Sequence, residues 1–210
     1  EDDWSFRRSK WFEAIKKECK NVKENVGLLD MTAFAKCRIK GPKAEEFLDK
    51  LVANKLPKKV GRINLCHALN TKGGVHSEFT IMREAEDSFY LVSAGAFQRL
   101  DHDWILKWMP SDGSVQFENL TNSTGVLVVS GPKARELMQR VSKDDFSNEN
   151  FKWLSAKNVD IGQAPVNAMR VNFVGELGWE LHHGIEYQNH IFDKLMEAGK
   201  DLNLKPFGIR

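Results

Sequence analysis

Apolar positions along the chain fall into two periods, steps of three and four in some stretches and steps of two in others, and the order of these stretches repeats. Laid on itself at an offset of 90 residues, the chain sets RIKGPKAEEFLDKL at 38–51 over VVSGPKARELMQRV at 128–141. Gly41-Pro42-Lys43-Ala44 matches Gly131-Pro132-Lys133-Ala134, and Ile39, Phe47, Leu48 and Leu51 match Val129, Leu137, Met138 and Val141. Each copy predicts a strand, a glycine turn, proline at the first helical position and an amphipathic helix. Behind the first copy follow strand candidates His76 to Arg83 and Ser88 to Ser93 and a helix from about Ala96 to Trp108. Behind the second follow Val166 to Val174, Gly178 to His182 and a helix from about Glu186 to Ala198, with Gly73-Gly74 and Gly175 as turn signals. The order β-α-β-β-α thus occurs twice, the split βαβ plan of ferredoxin-like units. It predicts an α+β fold of antiparallel sheets, each covered by helices on one face. The repeat divides the chain into a lead and first unit at 1–116 and a second unit at 117–210, together one domain. The junction of two such units is the expected ligand cleft. Residues Lys143 to Asp160, polar and without pattern, read as an excursion.

Composition changes this picture little, and mostly by exclusion. The 31 basic and 29 acidic residues nearly cancel; the first 105 residues hold 19 basic and 16 acidic, the remainder 12 and 13. Neither half is a nucleic-acid-binding arm. No apolar run approaches the ~18–20 residues of a membrane span, so no membrane partner is expected. The opening EDDWSFRRSK has no apolar segment behind its charges and is not a secretory signal. Cys19, Cys37 and Cys66 are odd in number and widely spaced, which fits reduced thiols. The expected compartment is the cytoplasm of a bacterium or the mitochondrial matrix of a eukaryote.

Two carboxylates stand out. In the helix from Ala96, the apolar residues Phe97, Leu100, Trp104, Ile105 and Trp108 define a stripe expected to face the core, and Asp101 falls inside it. Asp103 sits four residues from both Arg99 and Lys107, on a solvated face where ion pairs are weak. A carboxylate on an inward stripe is penalised by desolvation unless partnered. That is where a general base for a weakly acidic N–H would stand, and equally where a buried Asp would simply bind backbone amides. Glu176, in Phe173-Val-Gly-Glu-Leu-Gly-Trp179, is bracketed by Gly175 and Gly178 at a tight turn. It is either a solvated turn residue or a partner for a heterocycle that offers an N–H beside an amino group while its ring packs on Phe173 or Trp179. No GxGxxG or Walker loop marks a bound nucleotide, and the six His form no HExxH and no zinc spacing with cysteine, so no metal is expected. The six Trp are read as core.

At these residues the sequence resembles the folate-binding part of the dimethylglycine and sarcosine dehydrogenases, a group related to the aminomethyltransferase (T-protein) of the glycine cleavage system. The resemblance covers nearly the whole chain. It is carried by Trp11-Phe12-Glu13 with Glu18-Cys19-Lys20, Val26 to Asp30 with Phe34-Ala-Lys36, Lys59 to Ile63 with His67 to Asn70, Gly73 to Thr80, Val174 to Glu180, Gly131 to Ala134, and Lys205 to Gly208. It implies the aminomethyltransferase folate-binding fold, with the repeat as its two ferredoxin-like units and its C-terminal part missing. In that family a carboxylate on the helix after an Ala-Gly strand end acts beside the folate amine, and Asp101 after Ala94-Gly95 matches it. A glutamate in the Gly-Glu turn holds the pterin, and Glu176 matches that. The folate-binding set implied is Glu176, Phe173, Trp179 and Val126, with Phe173 where the T-protein often has Tyr, so a hydroxyl contact there is lost. The implied function is capture of the iminium left by flavin-dependent N-demethylation, giving 5,10-methylenetetrahydrofolate, with tetrahydrofolate as cofactor. FAD is expected only on a separate domain of the same longer chain. The alternatives are a glycine-cleavage aminomethyltransferase, whose substrate arrives on a lipoyl arm, and a folate-binding module without catalysis.

Overall fold

Two turns built alike frame the computed structural model, which describes residue 6 and residues 8–208. The stretch 1–5 with Arg7, which holds most of the segment read as lacking a signal, and residues 209–210 lie outside the described residues. At the end of the first strand of each copy, Gly41 and Gly131 take left-handed backbone, with φ of 126° and 131°. A Cβ at Gly41 would lie 2.5 Å from the carbonyl oxygen of Ser114, and one at Gly131 would lie 2.6 Å from that of Asn25. The closeness has a use. The Lys43 N–H donates to the Ser114 carbonyl and the Lys133 N–H to the Asn25 carbonyl, so both turns are tied to the chain in the same way. Pro42 and Pro132 lie in the turn itself, two residues before their helices, with Lys43 and Lys133 as N-caps.

In chain order the elements are α1 (Phe12–Glu24), β1 (Gly27–Asp30), β2 (Ala35–Lys40), α2 (Ala44–Leu51), β3 (Ile63–Leu69), β4 (Val75–Ala85), β5 (Ser88–Ser93) and α3 (Gln98–Trp108). There follow β6 (Gln116–Asn119), β7 (Thr124–Ser130), α4 (Ala134–Val141), β8 (Ala156–Ile161), β9 (Ala164–Met169), β10 (Gly178–Gly184), α5 (Gln188–Ala198) and β11 (Lys205–Pro206). Beyond the three strands the pattern predicts, each copy holds two more, β1 and β3 in the first and β6 and β8 in the second, and β11 follows the second copy. The chain packs as two units, residues 32–124 with 154–157, and residues 1–31 with 125–153 and 158–210. Their sheets share one strand order: β3-β4-β5-β2-β6 in the first, and β8-β9-β10-β7-β1 in the second, with β11 added beyond β1. The fifth strands are exchanged. β1 precedes β2 in sequence but pairs with β7, while β6 precedes β7 but pairs with β2. Packing thus follows the exchange and not the sequence order, which assigns residues 1–31 to the unit of the second copy.

In the first unit α2 and α3 cover one sheet face through Ala44, Phe47, Leu48, Leu51 and Ile105, over Cys37, Ile39, Phe79, Ile81, Phe89 and Leu91. In the second, Ala134, Leu137, Met138, Ile191 and Leu195 do the same over Leu127, Val129, Val166, Ala168, Trp179 and Leu181. Four expectations need correction. The stretch from Lys143 is no excursion, because Phe146 and Phe151 are driven into the second core and stack on each other at 5.4 Å. The second strand of the second copy ends at Met169, not at Val174. On α3 the inward face is Asp101 and Ile105, while Phe97, Leu100 and Trp108 are exposed: Phe97 belongs to a short 3-10 turn that resets the helical phase. Trp11, Trp108 and Trp153 are likewise exposed, and among the described tryptophans only Trp179 is fully enclosed. The three thiols are unbonded, with Cys37 and Cys66 buried and Cys19 exposed.

Candidate functional site

Asp101 lies one turn before Ile105 on the buried face of α3 and is 2 % exposed. Its Oδ1 accepts a hydrogen bond from the Ser77 hydroxyl at 2.5 Å. Ser77 ends the inward row of β4 that continues through Phe79 and Ile81, so a central strand fixes the donor. Cys37 on β2 shares this corner: burial first, and the charge of Asp101 second, push its thiol up to about 12, so it stays protonated. The adjacent His102 is held below the ordinary histidine value by burial, against the opposing pull of Asp101 and Asp103. Asp103 itself is exposed and pairs with Arg99 at 3.7 Å, a solvated pair.

The second unit supplies an internal control for this corner. α3 and α5 are both 11 residues long, and the fourth residue is Asp101 in one and Ile191 in the other. Leu127 replaces Cys37 at the repeat offset. Strands β4 and β9, aligned through the pairs Ile81 with Leu91 and Ala168 with Leu181, set Ser77 against Ala164. Where one unit has Asp, Ser and Cys, the other has Ile, Ala and Leu, all three in its apolar core. The fold is therefore satisfied by apolar packing at this place. A buried carboxylate with a hydroxyl donor is an addition that the architecture does not call for.

Glu176 lies in the loop between β9 and β10 and lines a cleft of about 260 Å³ together with Phe173 and Val174 of the same loop. The opposite wall comes from Glu18, Cys19, Val22 and Lys23 of α1 and from Phe207 and Gly208. This wall is built by hydrogen bonds: the Phe207 N–H donates to the Leu28 carbonyl, and the Gly208 N–H to Glu18 Oε2 at 2.9 Å. The cleft joins an apolar floor, a half-buried carboxylate and an exposed aromatic ring, which suits a flat heterocycle with N–H groups on one edge.

Of the residues expected around a ligand, the structure brings Glu176 and Phe173 to this one cleft. Trp179 and Val126 are enclosed. Both are 0 % exposed. Trp179 is wedged between Phe146 and Phe151 at 5.3 and 6.0 Å, with the guanidiniums of Arg135 and Arg170 within 6 Å of its ring. Val126 sits one position out of step with the core residues Leu127 and Val129, enclosed on the other face of β7. Sequence reasoning missed Ser77 and Cys37, although the apolar alternation of β4 and the repeat alignment of Cys37 with Leu127 carried the signal. It also missed Lys23, Phe207 and Glu18 as cleft residues, which only the tertiary fold brings to Glu176. Among the described residues no group of three or more His, Cys, Asp or Glu is placed to hold a metal ion, and no helix is long and apolar enough to cross a membrane.

Comparison with known proteins adds the following. The GCVT N-terminal domain model matches residues 1–210. The mitochondrial dimethylglycine dehydrogenase of Mus musculus is 38 % identical over 205 residues, which cover 97 % of this chain and 24 % of that enzyme. An aminomethyltransferase of Thermoanaerobacter sp. (strain X514) is 30 % identical over 199 residues, covering 94 % of this chain and 54 % of its own length. The chain thus spans about a quarter of the length of the dehydrogenases it matches. Among solved structures, the glycine cleavage system aminomethyltransferase T from Bartonella henselae superposes with a TM-score of 0.78 at 22 % identity, over 91 % of this chain and 50 % of that one. The fold is that of the aminomethyltransferase T-protein.

Proposed function

Since the chain belongs to the GCVT N-terminal domain family, we propose that it is the tetrahydrofolate-binding, one-carbon-transfer part of a longer flavin-dependent enzyme acting on N-methylated glycines. The observation that carries the reading is Asp101, a buried carboxylate held by Ser77 where the matching corner of the fold is built from Ile191 and Ala164. The dehydrogenase likeness favours the N-methyl amine branch over the lipoyl-fed one. Tetrahydrofolate, when bound, supplies two amine nitrogens that take up a one-carbon unit that water would otherwise release as formaldehyde. The described residues fit it through a carboxylate beside an aromatic ring at one site and a buried carboxylate at the other. FAD, on this reading, belongs to another part of the longer enzyme, which produces the iminium.

Glu176 would hold the pterin edge through its carboxylate, and Phe173 would pack against its ring. Asp101 would accept a proton from the folate amine, and its negative charge would favour positive charge developing beside it. Burial strengthens both effects by excluding water. The reading gives Glu176 a binding role and Asp101 a chemical one. Calorimetric titration of the protein with tetrahydrofolate tests it: Glu176→Ala weakens binding by about tenfold or more. Asp101→Asn leaves binding in place but diverts the one-carbon unit to free formaldehyde. Binding insensitive to Glu176→Ala removes the pterin clamp, and full capture by Asp101→Asn removes the catalytic assignment and leaves a passive folate-binding module.

A further inference from the structure

Resting on the reading of Asp101 as the proton acceptor, we propose that Ser77 is its positioning residue: the serine hydroxyl holds Oδ1 and leaves Oδ2 as the oxygen that meets the folate amine. The bond is 2.5 Å long, at the short end for a hydroxyl donating to a carboxylate, and both groups are buried. A serine has one O–H, and here it is committed. Among the described residues Oδ2 carries no hydrogen bond, so the carboxylate has one fixed and one working oxygen. Ser77 is held by the register of β4, whose neighbour Ala68 faces it across β3, and not by a mobile loop.

The serine is not explained by packing. Its counterpart Ala164 fills the same end of the inward row in the second unit with no polar atom, beside Ile191 in place of Asp101. Ser77 is accounted for by Asp101, and Asp101 by the chemistry. Two geometric losses follow from removing the hydroxyl: the carboxylate rotates freely about χ2, and Oδ1 competes with Oδ2 for the amine.

The test uses the protein in its full length, following methylenetetrahydrofolate against free formaldehyde during turnover of a methylated glycine. Ser77→Ala lowers the rate of capture by about tenfold to a hundredfold while KM for tetrahydrofolate is unchanged. Ser77→Thr, which restores a hydroxyl on the same carbon, recovers most of the loss. In an Asp101→Asn background Ser77→Ala has no further effect, because the hydroxyl acts only through the carboxylate. Thermal unfolding identifies a variant that does not fold; Ser77→Cys, which keeps the volume and only a weak donor, then takes the place of Ser77→Ala with a loss in the same direction. Capture unaffected by removing the hydroxyl, or losses that add in the double variant, overturn the positioning role while Asp101 stands. Capture that survives Asp101→Asn overturns the reading beneath it.

Discussion

A carboxylate in an apolar corner is held there at the expense of stability, and Asp101 can be weighed against its own counterpart. Replacing a buried polar pair by apolar residues of similar volume is generally neutral or stabilising by about 1–4 kcal/mol, whereas removing one partner strands the other. The double variant Asp101→Ile with Ser77→Ala rebuilds this corner after the pattern of Ile191 and Ala164. We expect it to raise the unfolding free energy by about 1–3 kcal/mol in urea denaturation and to abolish folate-dependent capture. Asp101→Ile alone gains less, because Ser77 keeps a buried hydroxyl without its acceptor. A double variant less stable than the native chain would mean that the polar pair is structural after all. The burial of Asp101 was legible from sequence because Trp104 and Ile105, the members of the expected stripe that do pack on the core, follow it by three and four residues. Ser77 was not, since a small hydroxyl residue at a strand end carries no signal until strand register sets it against a helix. Phe173 and Glu176 were legible together because one loop presents both, and Trp179 lies in the core as the reading of the tryptophans has it; proximity in sequence alone does not tell which face of a strand an aromatic occupies.

At the level of elements, the repeated turn is the firmest link between sequence and fold. Gly41 and Gly131 both need a backbone region that L side chains avoid, and both lie against a carbonyl that would meet a Cβ closer than 3 Å. Alanine at either position is expected to cost about 1–3 kcal/mol, read as a shift of the denaturation midpoint, and Gly131→Ala should cost the more, because the Val22 carbonyl oxygen also lies 2.6 Å from its Cβ. A tolerated Gly41→Ala beside a damaging Gly131→Ala would show that the two turns are alike in sequence only. Both helices of the repeat were read, but two residues early at their starts: Pro42 and Pro132 lie in the turn, and the helices begin at Ala44 and Ala134. The strands β3 and β8 were not read, since INLCHAL mixes polar and apolar residues without strict alternation, and AKNVDI offers only Val159 and Ile161 to the core. The exchange of β1 and β6 left no trace in the pattern, because strand pairing is decided by partners distant in sequence.

For the whole molecule, the buried titratable groups set the pH range over which the chain is stable. Burial holds His183 on β10 and His102 on α3 below the ordinary value of 6.5, so the unfolded chain binds more protons than the folded one just below that pH. Stability must therefore fall as pH drops through this window. Glu45 beside Arg83, and Asp201 beside Arg140, are held below the usual carboxylate range by hydrogen bonds to those guanidiniums. Their smaller, exposed contributions are present above the unfolded carboxylate value and are lost as pH falls through their folded values, which adds a second acid step. On the alkaline side the sign reverses. Burial raises Cys37 and Cys66 from 9.0 to about 12 and about 11, so the stability they contribute is complete below 9 and is lost as pH rises toward those values. The expected profile is a plateau from about pH 7 to 9 with a decline on each side. Urea midpoints measured from pH 5 to 10 check it, and His183→Gln, which keeps a hydrogen-bonding side chain but cannot charge, should flatten the first acid step. A midpoint constant between pH 7 and 5, or a step unchanged in His183→Gln, would place the acid sensitivity outside these two histidines.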